Sequence, residues 1–175
     1  MVIGYRLLPC GLSRKETSSE ARKLLKQLVA QEAGVTETDI SVKKDDNGAP
    51  QLSIADTNAY CSISHKNNCV VAGYSAAYPI GVDVENLESN KDYRRIREHY
   101  AHAFLKGVTT KEAFFYRWTL AEAYAKASGQ PLLEILAQPF EPTDNLHYIT
   151  ISNFLVCTYV EANRDKFQRP KIIRL

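Results

Sequence analysis

Apolar and polar positions change their period several times along the chain, and each change marks an element. Residues 2–7 alternate weakly and predict a first strand. Between Ser18 and Ala33, the residues Ala21, Leu24, Leu25, Leu28 and Val29 recur at spacings of three and four, which predicts a helix. Thr17, Ser18 or Ser19 would cap its start, and Gly34 sits where a C-cap glycine belongs. Residues 40–44 and 51–54 predict two strands around Asp45-Asp46-Asn47-Gly48, in which Asn-Gly favours a hairpin. Tyr60–Ser64 and Cys69–Tyr74 predict two more, separated by polar Lys66-Asn67-Asn68. After Pro79 come a strand at Ile80–Glu85, a helix at Tyr93–Leu105 and a longer helix at Lys111–Ser128 that stops at Gly129. Leu146–Ile151 and Phe154–Val160 predict a final strand pair.

Each half therefore offers a helix and several strands without an evident sequence repeat. The predicted fold class is α+β, with two subdomains side by side, residues 1–78 and 79–175, each a helix packed on a small antiparallel sheet. A chain of 175 residues with 45% apolar and 24% charged residues can bury a core without disulfides. Cys10, Cys61, Cys69 and Cys157 form no C-x-x-C pair and have no histidine clusters beside them, so they are expected to be reduced thiols of a cytoplasmic protein rather than zinc ligands. The first residues lack the basic start and small-residue cleavage site of a signal peptide, and no apolar run has the length of a membrane span. A net charge of +2 is too balanced to argue for nucleic acid. Local excesses stand out against it: Lys91, Arg94, Arg95 and Arg97, and a basic run from Arg164 to Arg174. These are either solvated surface or a face for an acidic or phosphorylated partner.

Three stretches carry candidate chemistry. In Ile80-Gly81-Val82-Asp83-Val84-Glu85, the strand period puts Asp83 and Glu85 on one face and the aliphatic residues on the other. Two carboxylates so placed repel unless a cation or water lies between them; the plainer alternative is a polar face turned to solvent. On the long helix, Trp118, Glu122 and Lys126 are four apart and form one stripe, either an ion pair beside a core tryptophan or part of a site. In Cys61-Ser62-Ile63-Ser64-His65-Lys66, a histidine ends a strand, in either a structural or a binding role.

Taken in order, S-I-S-H, G-V-D-V-E and W-x-x-x-E-A-x-x-K-x-x-G resemble the signature of the 4′-phosphopantetheinyl transferases, in the larger, pseudo-dimeric class that activates peptide and polyketide synthases. The resemblance covers roughly residues 47–132. It implies a pseudo-twofold arrangement of the halves, with coenzyme A in the cleft between them. A serine of an acyl or peptidyl carrier protein attacks the β-phosphorus and 3′,5′-ADP leaves. By the same resemblance Asp83, Glu85 and Glu122 hold Mg²⁺ with the diphosphate oxygens. Glu122, or a metal-bound water, takes the serine proton, with Asp83 and Lys126 completing the catalytic set. Ser64, His65 and Lys126 contact coenzyme A phosphates. One chain would suffice, so a monomer is expected, with a dimer left open by the short N-terminal half.

Two departures from the family pattern bear on activity. Ala121 stands where a lysine usually precedes the helix glutamate, and Ala49 interrupts a G-K-P ahead of the histidine motif. Each lost cation is worth about 1.5–3 kcal/mol of phosphate binding where it makes a charged hydrogen bond. Gln130 also replaces an often basic residue. The alternative expectation is thus a degenerate, non-catalytic member that binds coenzyme A or a carrier protein.

Overall fold

A computed structural model of the chain describes residues 1–45, 48–99, 103–141, 143–162 and 166–175. The elements of the described residues follow in the order β1 (Val2–Leu7), α1 (Arg14–Ala33), β2 (Ile40–Lys44), β3 (Pro50–Ile54), β4 (Thr57–Lys66), β5 (Cys69–Ser75), β6 (Ile80–Asn86), α2 (Tyr93–His99), α3 (Lys111–Ser128), α4 (Leu132–Ala137), β7 (Leu146–Ile151), β8 (Phe154–Val160) and β9 (Lys171–Arg174). The fold is α+β, as the periodicities predict. None of the helices among the described residues is long and apolar enough to cross a membrane.

Most elements fall where the sequence puts them, and the exceptions have local causes. Helix α1 begins four residues before Ser18, because Ser13 rather than Thr17, Ser18 or Ser19 is its cap. The Ser13 hydroxyl accepts from the Glu16 amide, and the Glu16 carboxylate accepts from the Ser13 amide, closing a capping box. Strand β4 extends to Thr57 and pairs with β3 through a two-residue turn at Ala55 and Asp56, both at positive φ. The Asn-Gly turn falls on Asp46 and Asn47, outside the described residues. The helix expected over Tyr93–Leu105 is observed as α2 and a 3₁₀ turn at Ala103–Leu105, with residues 100–102 outside the description.

The two sheets pack face to face. A six-stranded sheet, in the order β2-β3-β4-β5-β1-β9, carries α1 on one face, where Leu24, Leu25 and Leu28 meet Val2, Val70 and Ala72. Its other face, through Ile3 and Val71, packs on Ile80, Val82, Val84 and Val156 of a three-stranded sheet ordered β6-β8-β7. The outer face of that second sheet carries α3, with Leu155 and Cys157 against Phe115, Leu120 and Ala121. Strand β9, unforeseen because Lys171-Ile172-Ile173-Arg174 lies in the basic run, pairs parallel to β1. The sheet begun by the first half is thus completed by the second.

Candidate active site

Strand β6 is an edge strand, and its open side is where the halves meet. Its antiparallel partner β8 pairs along the other side. On the open side runs β4, whose alternate residues Ser62, Ser64 and Lys66 point toward β6 in sequence order. Ser62 Oγ accepts from the Val82 amide at 3.0 Å, satisfying a buried edge donor that β8 cannot reach. Ser64 Oγ donates to Asp83 Oδ1 at 2.9 Å, and Lys66 Nζ lies 2.8 Å from Glu85 Oε2. A strand of the first sheet therefore meets the motif strand of the second through side chains.

Helix α3 closes the site because Gly81 lets it approach. A Cβ added at Gly81 would lie 1.8 Å from the carbonyl oxygen of Ala123 and 2.8 Å from the backbone nitrogen of Ala127, so only glycine permits this contact. The approach brings Lys126 to the next position of the strand. Its ammonium donates to Asp83 Oδ1 at 2.8 Å, to the Val82 carbonyl at 3.0 Å and to Ser64 Oγ at 3.3 Å. Ser64, Asp83 and Lys126, from three elements and both halves, form one hydrogen-bonded group.

Asp83 and Glu85 are only 6% and 5% exposed, so their face is not the solvated one that was the plainer sequence alternative. Glu85 carries two lysines: Lys91 donates to Oε1 at 2.5 Å, while Lys66 sits at Oε2. Oε2 is buried and makes no hydrogen bond, so its contact with Lys66 is an ion pair without hydrogen-bond geometry. Burial works to lower the Lys66 pKa, but the Glu85 carboxylate prevails and the net shift is upward. Trp118 stacks on Phe114 with ring centres 5.6 Å apart, and the Lys91 ammonium lies 5.7 Å from the Trp118 ring centre. At Glu122, burial raises the carboxyl pKa, as do the Asp83 and Glu85 charges; Lys126 and Lys91 oppose them.

Among the described residues no three acidic, histidine or cysteine side chains are gathered closely enough to hold a metal as they stand. The donors themselves suit a hard divalent cation: three carboxylates on one strand face and the adjoining helix, one of them with a buried oxygen that lacks a hydrogen bond.

Beside Lys126 opens a groove of about 420 Å³, lined in part by Arg22 of α1, Lys44, Ala49, Ser62 and His65. Arg22, Lys44, His65 and Lys126 make its described lining basic, which suits an anion. Ser64 and His65, adjacent in the motif, point to opposite faces of β4: Ser64 toward Asp83, His65 into this groove. Burial lowers the His65 pKa, and the charges of Arg14, Lys126 and Arg22 lower it further. A second groove of about 290 Å³, lined in part by Tyr60, Pro79 and Ile80, lies on the other flank of Lys126.

The positions that depart from the family pattern are also placed. Ala49 lines the anion groove, where Arg22 and Lys44 supply charge. Ala121 is fully buried among Phe115, Leu120 and Cys157, on the core side of α3. Sequence reasoning missed Lys66 and Arg22. Lys66 was legible as the third member of an S-x-S-x-K alternation, whereas Arg22 is brought in only by the packing of α1.

No family model matches the chain. A curated relative, named 4′-phosphopantetheinyl transferase HetI, from Nostoc sp. (strain PCC 7120 / SAG 25.82 / UTEX 2576), is 26% identical over 135 residues. The match covers 69% of this chain, and the chain spans 57% of that relative's length. This likeness supports the phosphopantetheinyl transferase superfamily, in agreement with the resemblance carried by the three motifs.

Proposed function

We propose that the chain transfers the 4′-phosphopantetheine group of coenzyme A to a serine of an acyl or peptidyl carrier protein, as a member of the larger, pseudo-dimeric transferase class. The observation that carries this reading is the Ser64–Asp83–Lys126 group beside a groove whose described lining is basic, with Glu122 on the same helix face as Lys126. The 3′,5′-ADP part of coenzyme A belongs in the groove with Arg22, Lys44 and His65, and the diphosphate beside Lys126. Residues 1–78 would supply the groove and residues 79–175 the carboxylates.

Asp83, Glu85 and Glu122 are the residues to hold Mg²⁺, which when bound supplies charge neutralisation for the diphosphate. The chain's own contribution is positioning and proton transfer. Lys126 fixes the phosphates as a point charge, and its bonds to Ser64 and the Val82 carbonyl fix Lys126 in turn. Glu122, whose raised pKa favours taking up a proton, accepts the hydrogen of the carrier serine. The serine oxygen bonds to the β-phosphorus as the bond from that phosphorus to the bridging oxygen breaks, and 3′,5′-ADP leaves with the electron pair. The test is incubation of the pure protein with Mg²⁺, coenzyme A and apo-carrier proteins, followed by mass spectrometry of the carrier. A mass gain of one phosphopantetheine supports the reading; unmodified carriers throughout would sink it.

Exposed Arg94 and Arg95 on α2 suit an acidic carrier protein; Arg97 is engaged with the Val108 carbonyl. Reversing both exposed arginines to glutamate should raise the carrier KM by about tenfold at low salt and leave coenzyme A affinity unchanged. Equal KM values for the variant and the unmodified protein would reject this docking face.

The depressed pKa of His65 has a testable sign. Below about 6.5, the ordinary value for histidine, the unfolded chain protonates this residue more readily than the folded one, so stability falls as pH drops toward the folded value. Urea denaturation of the unmodified protein and His65→Gln between pH 8 and 5 should show the variant losing less on the acid side. Coenzyme A should reduce the difference, because a phosphate beside His65 favours its charged form. Parallel curves for the two proteins would remove His65 from this account.

A further inference from the structure

Three carboxylates and three lysines share the site: Asp83, Glu85 and Glu122 against Lys66, Lys91 and Lys126. Their charges cancel. A divalent cation entering alone would add two positive charges to a partly buried cluster already neutral, and a diphosphate entering alone would face carboxylates. Only the two together restore the balance.

The lysines are not equally held. Lys91 makes a hydrogen bond to Glu85 Oε1 and lies against the Trp118 ring. Lys126 has three hydrogen-bond acceptors, one of them a backbone carbonyl. Lys66 is held by Glu85 alone among the contacts described, with no ring beneath it and no backbone acceptor. It ends β4 just before the turn at Asn67 and Asn68 and faces Glu85 Oε2, a buried carboxylate oxygen without a hydrogen bond among the described residues. Its neighbour His65 lines the anion groove, and Ser64, on the same face of the strand, bonds to Asp83. Lys66 is thus the least anchored of the three lysines, on the strand that also carries Ser64 to Asp83 and Lys126.

We propose that Lys66 is an exchangeable cation of this site. Without ligand it holds Glu85; when coenzyme A arrives it moves to the diphosphate, and a divalent cation takes its place on Glu85 Oε2. The proposal rests on the transferase reading above. Its consequence is positive coupling: coenzyme A strengthens cation binding, and the cation strengthens coenzyme A binding by the same factor. Lys66 is also a specificity element for the diphosphate, since a ligand with a single phosphate in the basic groove would leave it on Glu85.

The experiment is a Mn²⁺ titration followed by the EPR signal of the free ion, with and without saturating coenzyme A, on the unmodified protein, Lys66→Met, Lys66→Gln and Lys66→Arg. Calorimetry of coenzyme A with and without Mn²⁺ gives the reciprocal measurement, and melting curves check that each variant is folded. In the unmodified protein, coenzyme A should tighten Mn²⁺ binding by about tenfold or more, within the usual range of coupling between sites. In Lys66→Met and Lys66→Gln, Mn²⁺ alone should bind several-fold tighter and the coupling should shrink to about twofold or less. Lys66→Arg, which keeps a cation, should retain the coupling. Mn²⁺ affinity that ignores coenzyme A, or neutral variants identical to the unmodified protein, would overturn the role of Lys66 and leave the transferase reading standing. If neither ligand binds alone or together, both fall.

Discussion

Asp83→Ala is expected to lower phosphopantetheine transfer by roughly 10²–10³-fold, the loss typical when one preorganised electrostatic group is removed from a reacting centre. Asp83 is the point at which the site converges. Its Oδ1 accepts from Ser64 of β4 and from Lys126 of α3 while the strand holds it 6% exposed. Removing the carboxylate frees Lys126 from its ionic partner and takes one donor from the cation set. The cost to folding should be about 1 kcal/mol or less, because Lys126 is 31% exposed on its side chain and keeps the Val82 carbonyl. Asp83→Asn, which keeps an acceptor for Ser64 but not the charge, separates the two contributions. It should retain near-native melting and still lose most activity. Both would be followed by mass spectrometry of the carrier protein and by calorimetry of coenzyme A with Mg²⁺. Full turnover in Asp83→Ala would place the chemistry elsewhere.

Gly81→Ala should be strongly destabilising, since no other glycine of the chain would bring its added Cβ so close to a neighbouring atom. The added methyl would lie 1.8 Å from the Ala123 carbonyl oxygen, and because the obstructing atoms are helix backbone, α3 must move as a body. Overpacking of this kind costs about 3 kcal/mol. For a protein of this size that corresponds to a fall of roughly 6–12 °C in Tm. Gly4→Ala is the matched control, since the nearest atoms to its methyl belong to the Leu28 side chain, at 3.0 Å and beyond. It should cost about 1 kcal/mol. Urea denaturation would compare the pair; equal effects would mean that the helix–strand approach is not what requires glycine. A shifted α3 also carries Glu122 and Lys126 away from Asp83, so activity in Gly81→Ala should fall more steeply than stability.

What could be foreseen from the sequence follows the range over which each signal acts. Alternation over Ile80–Glu85 placed Asp83 and Glu85 together because strand period is a local property. Gly129 ended α3 as expected because a C-cap glycine is recognised from its neighbours alone. The start of α1 was misjudged within a run of serines and threonines, where several residues could cap and only the Ser13–Glu16 pair closes a box. Layering of the two sheets could not be seen, since Ile3, Val71, Val82 and Val156 look like core residues whichever core they enter. Lys66 reads from sequence alone as part of a polar separator. Its meaning depends on Glu85, nineteen positions away and in another sheet.

The pairing of β9 with β1 sets the order in which the fold can be completed. Val2–Tyr5 lie beside Lys171–Arg174, and Arg6 donates to the Leu175 carbonyl across 169 positions of chain. During synthesis one side of β1 stays without its strand partner until Lys171–Arg174 have emerged. Contacts of such sequence separation slow folding, because the loop must be closed before they contribute. The two halves therefore do not mature independently, and a ribosome stalled before residue 171 would hold a sheet with an unpaired edge, open to association with another chain.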